Sequence, residues 1–353
     1  MFKKEIKHLL SGGVVFGFSE DLFALFLNYF VRSQQLGCVL FVNNDDAFNK
    51  DQYLRSVFFD SGVYYYPDLS GVSAVPGFQS QQNYFRSRSL IGLLKPGPSV
   101  CITTQTAANV CDINRKTTLM SLSLRCEDEK DRDDVVRVLL SFGYVLVDSV
   151  YSPKEIAVRG DIIDAFPESE DKPIRISFDF NIVGAMAFFD VDTQRKTKNV
   201  SSFLFYDLVG TPVETGKSLL QFIDWGLVIK IKKDGGLYRM FSGENKQEVG
   251  VVCKKLTGVI KSKKGFVALA SKYKHKKVRV FYTNKKRVET LTALGAEPIP
   301  GFIKNPVVVG RNNVVCLPDW KQKKQKKQPL DKGYKQLFLS DIQDIGVGDL
   351  IVH

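Results

Sequence analysis

The sequence predicts an α/β protein: a doubly wound domain that carries an inserted β-rich (α+β) domain and is followed by a second small α/β domain. Short apolar runs typical of buried parallel strands alternate with helical patterns over residues 1–117. Over residues 118–210 this alternation gives way to strand patterns with a period of two. A helix and a strand pattern within residues 218–231 predict that residues 211–260 return to the first domain, although residues 232–265 are only weakly patterned. Strands and helices alternate again in residues 261–320, predicted to form the second domain. Residues 321–353 open with a lysine-rich run that predicts an exposed linker.

Length and composition narrow the class of protein. The chain has 353 residues, of which 44% are hydrophobic, and this is enough for about two to four compact units. No apolar run approaches membrane-spanning length and no secretory leader is evident, so we expect a cytoplasmic protein without membrane contact. The six cysteines form no C-x-x-C pair and there are only three histidines. We therefore expect buried thiols, no metal and no cofactor.

The charge is concentrated in the last third of the chain. Residues 221–353 hold 27 basic and 11 acidic side chains, whereas residues 1–220 hold 23 basic and 27 acidic ones. A strongly basic segment favours contact with nucleic acid or an acidic partner surface, although solvated lysines give the same composition. Both interpretations stay open at this point.

Local patterns predict the individual elements. Apolar runs bounded by turn residues indicate strands, and apolar residues spaced i, i+3, i+4 indicate helices. For the first domain the predictions are a helix at 3–10, a strand at 14–16, a helix opened by residues 17–20, a strand at 37–42, a helix at 47–59, a strand at 62–66, a helix at 86–94 and a strand at 100–104. Beyond it they are a strand at 118–124, a helix ending at 142, a helix at 218–222, strands at 226–231 and 278–282, a helix at 285–294, a loop at 295–301, and strands at 307–309 and 314–317.

Two glycine-containing loops resemble phosphate loops, and both depart from that motif. The first, around Gly12 and Gly13, precedes a strand and a helix, but it lacks the lysine, and Glu20 would repel phosphate at the helix N-terminus. In the second, Gly210–Ser218, five residues separate the glycines where the motif has four, and Pro212 removes an amide donor. The three histidines lie far apart in sequence and suggest no catalytic group. We therefore predict a degenerate P-loop-like domain and no catalytic residues.

Strand alternation in the inserted domain predicts one face for a core and one for water or a partner. Four apolar residues, Ile174, Ile176, Phe178 and Phe180, alternate with Arg175, Ser177 and Asp179. Earlier in the stretch, Arg159 ends a second alternating run before a turn at Gly160. Arg159 and Arg175 are therefore candidates for a shared exposed sheet surface. The alternative is that both arginines pair with Asp161, Asp164 or Asp179 across the sheet.

Three strings in this domain carry a family resemblance. The runs E-x-A-V-R-G-x-I-I-D-x-F-P, P-I-R-I-x-F and F-D-x-x-T-Q-R, in this order and spacing, resemble the module shared by the repair protein UvrB and the transcription-repair coupling factor family. The string ending at Thr193-Gln194-Arg195 is more similar to the coupling factors. The last residues, 345–353, resemble the opening of that family's RNA-polymerase-interacting domain. The resemblance thus implies the N-terminal UvrB-homology region of such a protein, truncated there.

The resemblance also implies a function and partners. It implies a non-catalytic adaptor that recruits the damage-recognition ATPase UvrA in transcription-coupled nucleotide excision repair, with RNA polymerase bound by the domain that would follow His353. It carries over Arg159 and Arg175 as UvrA-binding residues. The family places an acid and two aromatics after P-x-R-I, whereas this sequence has Ser177, Phe178 and Asp179. Asp179 is therefore predicted to stand on the UvrA-facing side where the family has an aromatic.

The alternative function is a nucleic-acid-binding protein that uses the basic last third. Its most concentrated run supplies five candidate phosphate-contacting lysines, Lys321, Lys323, Lys324, Lys326 and Lys327. Such binding would weaken steeply with salt. The lysines are not interleaved with the aromatics that single-strand binding prefers.

Overall fold

A computed structural model describes residues 2–33, 36–56, 62–69, 81–110, 118–170, 172–209, 217–234, 237–243, 248–250, 253–255, 262–273, 277–282, 285–300, 303, 307–309 and 314–319. The helices of these residues are α1 (Lys3–Leu10), α2 (Glu20–Ser33), α3 (Asp46–Ser56), α4 (Gln81–Leu94), α5 (Gln105–Asn109), α6 (Arg132–Ser141), α7 (Leu219–Phe222), α8 (Lys263–Lys272) and α9 (Val288–Thr292). The strands are β1 (Val14–Phe18), β2 (Cys38–Val42), β3 (Val63–Tyr66), β4 (Ser99–Thr103), β5 (Thr118–Arg125), β6 (Val145–Leu146), β7 (Glu155–Arg159), β8 (Ile162–Ala165), β9 (Ile174–Asp179), β10 (Ile182–Phe189), β11 (Lys196–Val200), β12 (Ser202–Val209), β13 (Trp225–Asp234), β14 (Leu237–Phe241), β15 (Glu248–Gly250), β16 (Cys253–Lys255), β17 (Lys277–Tyr282), β18 (Glu297–Pro300), β19 (Val307–Val309) and β20 (Val314–Pro318).

The elements form a mixed α/β protein with several sheets, and the described chain divides into two compact units. The first unit contains the elements before α4, then β4 and α5, and all described elements from β13 to β20. The second contains α4 and the elements from β5 to α7. The sequence had placed α4 with the first domain.

The first sheet has the strand order β15-β1-β14-β13-β2-β4-β3. Strands β13, β2, β4 and β3 pair in parallel, as the alternation of strands and helices predicts. Strand β14 lies between β1 and β13 and runs antiparallel to both, so the sheet is mixed. Every residue of β2 and β4 is buried, which explains why these strands read as continuous apolar runs.

Helix α2 covers this sheet with aromatic side chains. Phe23, Phe26 and Phe30 recur at helical spacing and are fully buried. Their rings contact the ring of Phe41 on β2, edge to face in all three pairs, with centroids 5.4 to 6.4 Å apart. Rings in this geometry add to the stability that burial provides.

The first candidate phosphate loop differs in detail from its prediction. Strand β1 continues through Phe18, and Gly17, expected to open the helix, lies in the strand with φ 96°. The amides of Ser11, Gly12 and Gly13 donate hydrogen bonds of 3.0 to 3.2 Å to carbonyls in α1. These amides are therefore already used within the turn. Residues 210–216 of the second candidate loop lie outside the described residues.

The inserted region contains a six-stranded sheet, β11-β10-β9-β8-β7-β6, and a long two-stranded ladder, β12-β5. The period of two in β9 is confirmed: Ile174, Ile176 and Phe178 are buried, whereas Asp179 is exposed. Helix α6 begins where the Asp131 side chain accepts hydrogen bonds from the amides of the first helical turn, at 2.8 and 3.1 Å. The helix contributes to a core of buried residues: Leu124, Val135, Leu139, Phe142, Tyr144, Ile156, Ile163, Ala165, Ile174, Ile176, Phe178, Val183, Met186 and Phe205.

One residue predicted for this core lies outside it. Phe180 is 92% exposed and has φ 54°. The reason is that the strand ends one residue earlier: Asp179 pairs with Ile182, so Phe180 and Asn181 form a two-residue hairpin loop. Strand alternation applies only while the ladder continues, and the prediction for Phe180 was therefore wrong.

The third sheet has the order β16-β19-β20-β17-β18. Residues 295–301 were predicted to form a loop, but β18 (Glu297–Pro300) pairs in parallel with β17. Two of its four residues are prolines, and β18 accommodates them because it is an edge strand, where a missing amide donor need not break a ladder. The helix predicted at 285–294 is a 3₁₀ turn (Lys285–Arg287) followed by the short α9.

Candidate partner-binding face

The register of three antiparallel strands brings the two predicted arginines to one face of the six-stranded sheet. Residues directly opposite each other on antiparallel strands share a face. Arg159 lies opposite Ile162, which lies opposite Ser177, and Asp164 lies opposite Arg175. Six side chains on this face that reach solvent form the set that we call the arginine face: Arg159, Ile162, Arg175, Ser177, Asp179 and Ile182. Helix α6 packs on the other face, against the buried residues of β9.

Arg175 is held by a buried carboxylate. Its Nε and Nη2 atoms donate to the two carboxylate oxygens of Asp164 at 2.6 and 2.7 Å. The Asp164 side chain is 3% exposed and that of Arg175 21% exposed. The hydrogen bond to Asp164 raises the pKa of Arg175 above its ordinary value, and the guanidinium also lies 4.7 Å from the centre of the Phe189 ring. Of the three acids predicted as possible partners, Asp161, Asp164 and Asp179, Arg175 forms its ion pair with Asp164.

The D-x-x-T-Q-R string builds a turn that completes this arrangement. Asp190 accepts hydrogen bonds from the amide and the hydroxyl of Thr193, at 3.0 and 2.9 Å. The first of these bonds is the main cause of a pKa of Asp190 below its ordinary value. Gln194 follows with φ 57°, and its Oε1 accepts from Arg175 Nη2 at 3.4 Å. The sequence drew attention to the string, but it did not predict that Gln194 and Asp190 position Arg175.

Arg159 is held by backbone and hydroxyl oxygens. Its Nε and Nη2 donate to the carbonyl of Asp148 at 3.3 and 2.8 Å, and Nη2 also donates to the Ser149 hydroxyl at 2.8 Å. The loop that carries these acceptors is anchored by Val150, which is buried in a cluster with Ala157 of β7 and Phe166, the residue after β8. Because all its acceptors are neutral, Arg159 keeps its full positive charge on an exposed side chain.

The two guanidinium groups share one geometry. Each donates through Nε and Nη2 to its own chain, and among the described residues none accepts a hydrogen bond from the Nη1 atom of Arg159 or Arg175. Each Nη1 can therefore donate to a further carboxylate or carbonyl. The arrangement fixes the direction of both donors before any partner arrives, which lowers the entropy lost on binding.

Asp179 and Phe180 stand at the end of the arginine face. Asp179 is exposed, as predicted from strand alternation, and the ion pair of Arg175 goes to Asp164 instead. The hairpin loop is braced by a neighbouring segment, in which the Lys130 amide donates to the carbonyl of Asn181 at 2.7 Å. The exposed Phe180 ring therefore sits on a supported turn.

Other kinds of site find little support in the part of the chain that the structure describes. There, no three His, Cys, Asp or Glu side chains lie close enough together to hold a metal ion. None of the described helices combines the length and the apolar character needed to cross a membrane. Cys38, Cys101 and Cys316 are buried, and burial raises the pKa of the Cys101 thiol. The five predicted lysines, Lys321, Lys323, Lys324, Lys326 and Lys327, lie outside the described residues.

Comparison with known proteins agrees with the predicted resemblance of the inserted region. Residues 122–207 match the family described as the UvrB interaction domain. The transcription-repair-coupling factors of Bacillus subtilis (strain 168) and Escherichia coli (strain K12) are 31% and 30% identical over 104 and 103 residues, which are 29% of this chain and 9% of each of those proteins. UvrABC system protein B of Clostridium botulinum (strain Loch Maree / Type A3) is 35% identical over 88 residues, 24% of this chain and 13% of that protein. The similar part is thus a small share of each relative and coincides with the inserted region that carries the arginine face.

Proposed function

We propose, from the premise that residues 122–207 match the UvrB interaction domain, that this chain is a non-catalytic DNA-repair adaptor that recruits UvrA. In this proposal it is the N-terminal UvrB-homology region of a coupling factor, acts in the cytoplasm, and serves transcription-coupled nucleotide excision repair. The relatives named as coupling factors and as UvrB support a role in DNA repair.

The observation that carries the proposal is the paired geometry of Arg159 and Arg175 inside the matched region. Both guanidinium groups lie on one sheet face, and each directs Nη1 away from its intramolecular acceptors. Arginine is enriched among interface residues that dominate binding energy, and charge-assisted hydrogen bonds to carboxylates are strong. The proposed contact on UvrA is therefore a surface with carboxylates spaced to meet both arginines.

The non-catalytic part of the proposal rests on the first α/β unit. We take it to be a doubly wound scaffold whose turn at Ser11–Gly13 uses its amides within the chain and whose following helix starts with Glu20 and Asp21. Asp21 is buried and pairs with Arg55 at 3.1 Å, so this helix end is already an acidic structural site. Neither feature suits a nucleotide phosphate.

DNA and RNA polymerase are further proposed partners. The basic balance of residues 221–353 supports contact with DNA phosphates, which would weaken with salt. RNA polymerase is proposed as a partner because the proposal makes the chain part of a coupling factor.

The experiment is a titration of purified UvrA with the wild-type chain and with Arg159→Ala by isothermal calorimetry. Losing one interface arginine should reduce affinity by about 1–3 kcal/mol, or roughly 5- to 150-fold. Arg137→Ala is the matched control, since Arg137 is an exposed arginine of α6, on the opposite side of the sheet. Equal affinity of all three proteins for UvrA would show that the arginine face is not the UvrA contact. If the wild-type chain does not bind UvrA, the proposal that it recruits UvrA is wrong.

A further inference from the structure

One face of the first sheet brings together basic and aromatic side chains. Strand β14 lies between β13 and β1, and all three strands belong to the first compact unit. Lys230 lies opposite Phe241, Lys232 lies opposite Arg239, and Arg239 lies opposite Phe16. Residues directly opposite each other on antiparallel strands share a face, and so do residues two apart on one strand. These five side chains therefore lie together, and we call them the basic–aromatic face.

The opposite side of the same strands belongs to the core. There the ring of Tyr238 on β14 lies 6.1 Å from the ring of Phe23 on α2, and Met240 of β14 is fully buried. Strand β14 is paired along both edges, and just beyond it the Ser242 hydroxyl donates to the carbonyl of Leu9 at 2.6 Å. The basic–aromatic face therefore lies on a firmly held strand and points away from α2.

The lysines of this face carry positive charge that is not balanced. Lys230 and Lys232 are exposed, and neither forms an ion pair with any residue that the structure describes. Arg239 is different, because its Nη1 lies 3.3 Å from Oε1 of Glu248. The surplus charge of the face thus comes from the two lysines alone. A surface with such a surplus attracts a polyanion.

The phenylalanines of this face lie beside the cations. The Lys232 ammonium lies 5.8 Å from the centre of the Phe241 ring, and the Arg239 guanidinium lies 5.4 Å from the centre of the Phe16 ring. Both rings are only half-buried. Aromatic rings on a sheet surface stack on unpaired bases, while neighbouring basic side chains bind the phosphates of the same strand. The chemistry of the face therefore suits a single-stranded nucleic acid.

We propose that the basic–aromatic face binds single-stranded DNA. The inference rests on the proposed contact of residues 221–353 with DNA, and it assigns that contact to β13 and β14, with one ring from β1. Lys230 and Lys232 bind phosphates, and Phe241 and Phe16 stack on bases. The lysine run at 321–327 has no interleaved aromatics in the sequence, whereas on this face the strand register supplies them.

The test titrates a fluorescein-labelled oligothymidylate of about 12 nucleotides with the full chain and follows fluorescence anisotropy at several salt concentrations. Lys230→Gln/Lys232→Gln should make the slope of log affinity against log salt shallower by about 1.4, since each phosphate contact of a single strand contributes about 0.7. Phe241→Leu keeps an apolar side chain but loses the flat ring, and it should weaken binding at least about fivefold. The duplex of the same length should bind at least about threefold more weakly than the single strand, because its bases are already stacked.

The matched control is Lys263→Gln/Lys264→Gln, which removes the same charge from two exposed lysines of α8 in the same compact unit. It should leave the salt slope unchanged, since lysines that bind no phosphate release no counterions from the DNA. Circular dichroism and UvrA affinity should be the same for every variant and the wild type.

Three results would overturn the proposal. The first is an equal loss of affinity in the two double-lysine variants, and the second is equal affinity of the wild type for duplex and single strand. The third is binding that persists in Lys230→Gln/Lys232→Gln but disappears when the five lysines of the 321–327 run are replaced by glutamine. In that case the chain still contacts DNA, and the basic–aromatic face is not the place of contact. The UvrA titration tests the adaptor role independently of all three.

Discussion

Replacing Arg175 by alanine should destabilise the inserted region, because the substitution leaves a buried carboxylate alone. Asp164 is 3% exposed, and its carboxylate receives two charge-assisted hydrogen bonds from Arg175. Removing one member of a buried pair costs about 3–5 kcal/mol. The 21% exposure of Arg175 means that water can enter the vacated space, which reduces the expected loss to about 2–3 kcal/mol.

The assay is urea unfolding followed by far-ultraviolet circular dichroism. A double-mutant cycle with Asp164→Asn isolates the pair: Asp164→Asn with Arg175→Ala should be clearly more stable than Arg175→Ala alone, because the lone charge is gone. A free energy of unfolding for Arg175→Ala within about 0.5 kcal/mol of wild type would refute the reasoning. A loss of UvrA affinity in Arg175→Ala is interpretable only after this measurement, whereas Arg159, whose acceptors are neutral, gives the direct test.

Three further predictions concern the arginine face and the turns beside it. Because the pKa of Asp190 is lowered in the folded protein, its ionised form stabilises the fold above the ordinary aspartate pKa of about 4. That contribution is lost as the pH falls through the lowered pKa. The free energy of unfolding should therefore decrease less steeply with acidification in Asp190→Asn than in the wild type. Phe180→Gly should leave the free energy of unfolding unchanged or raise it by up to about 1 kcal/mol, since φ 54° suits glycine, and a lower melting temperature would contradict this expectation. The same variant should weaken UvrA binding if the Phe180 ring contacts UvrA. Asp179→Phe should tighten UvrA binding by roughly three- to tenfold, because an aromatic ring there would pack over Ile182 and extend the apolar part of the arginine face. Equal or poorer affinity of a correctly folded variant would exclude Asp179 from the contact with UvrA.

Strand alternation predicted the arginine face correctly where long ladders enforce it, and failed where the ladder ends. Arg175 and Asp179 lie on the side that the period of two requires, and Ile174 lies on the other. Phe180 does not follow the alternation because a two-residue loop starts at that position. The position of such a loop depends on the pairing with the partner strand as much as on the residue itself. The bond from Arg175 to Asp164 depends on the cross-strand register, which the sequence narrowed only to three acids.

Two interpretations of the arginines that seemed exclusive in the sequence are compatible in the structure. A guanidinium presents five donors in a rigid plane, so the edge formed by Nε and Nη2 can bind an intramolecular acceptor while Nη1 serves another molecule. Arg175 uses that edge on Asp164 and Arg159 uses it on the Asp148 carbonyl. The intramolecular bonds then fix side chains that would otherwise lose rotamer freedom on binding. Because their acceptors differ, the two arginines would play different roles. The charge of Arg175 is balanced by Asp164, so Arg175 supplies a hydrogen-bond donor of fixed direction. Arg159 supplies the net positive charge that would attract an acidic surface.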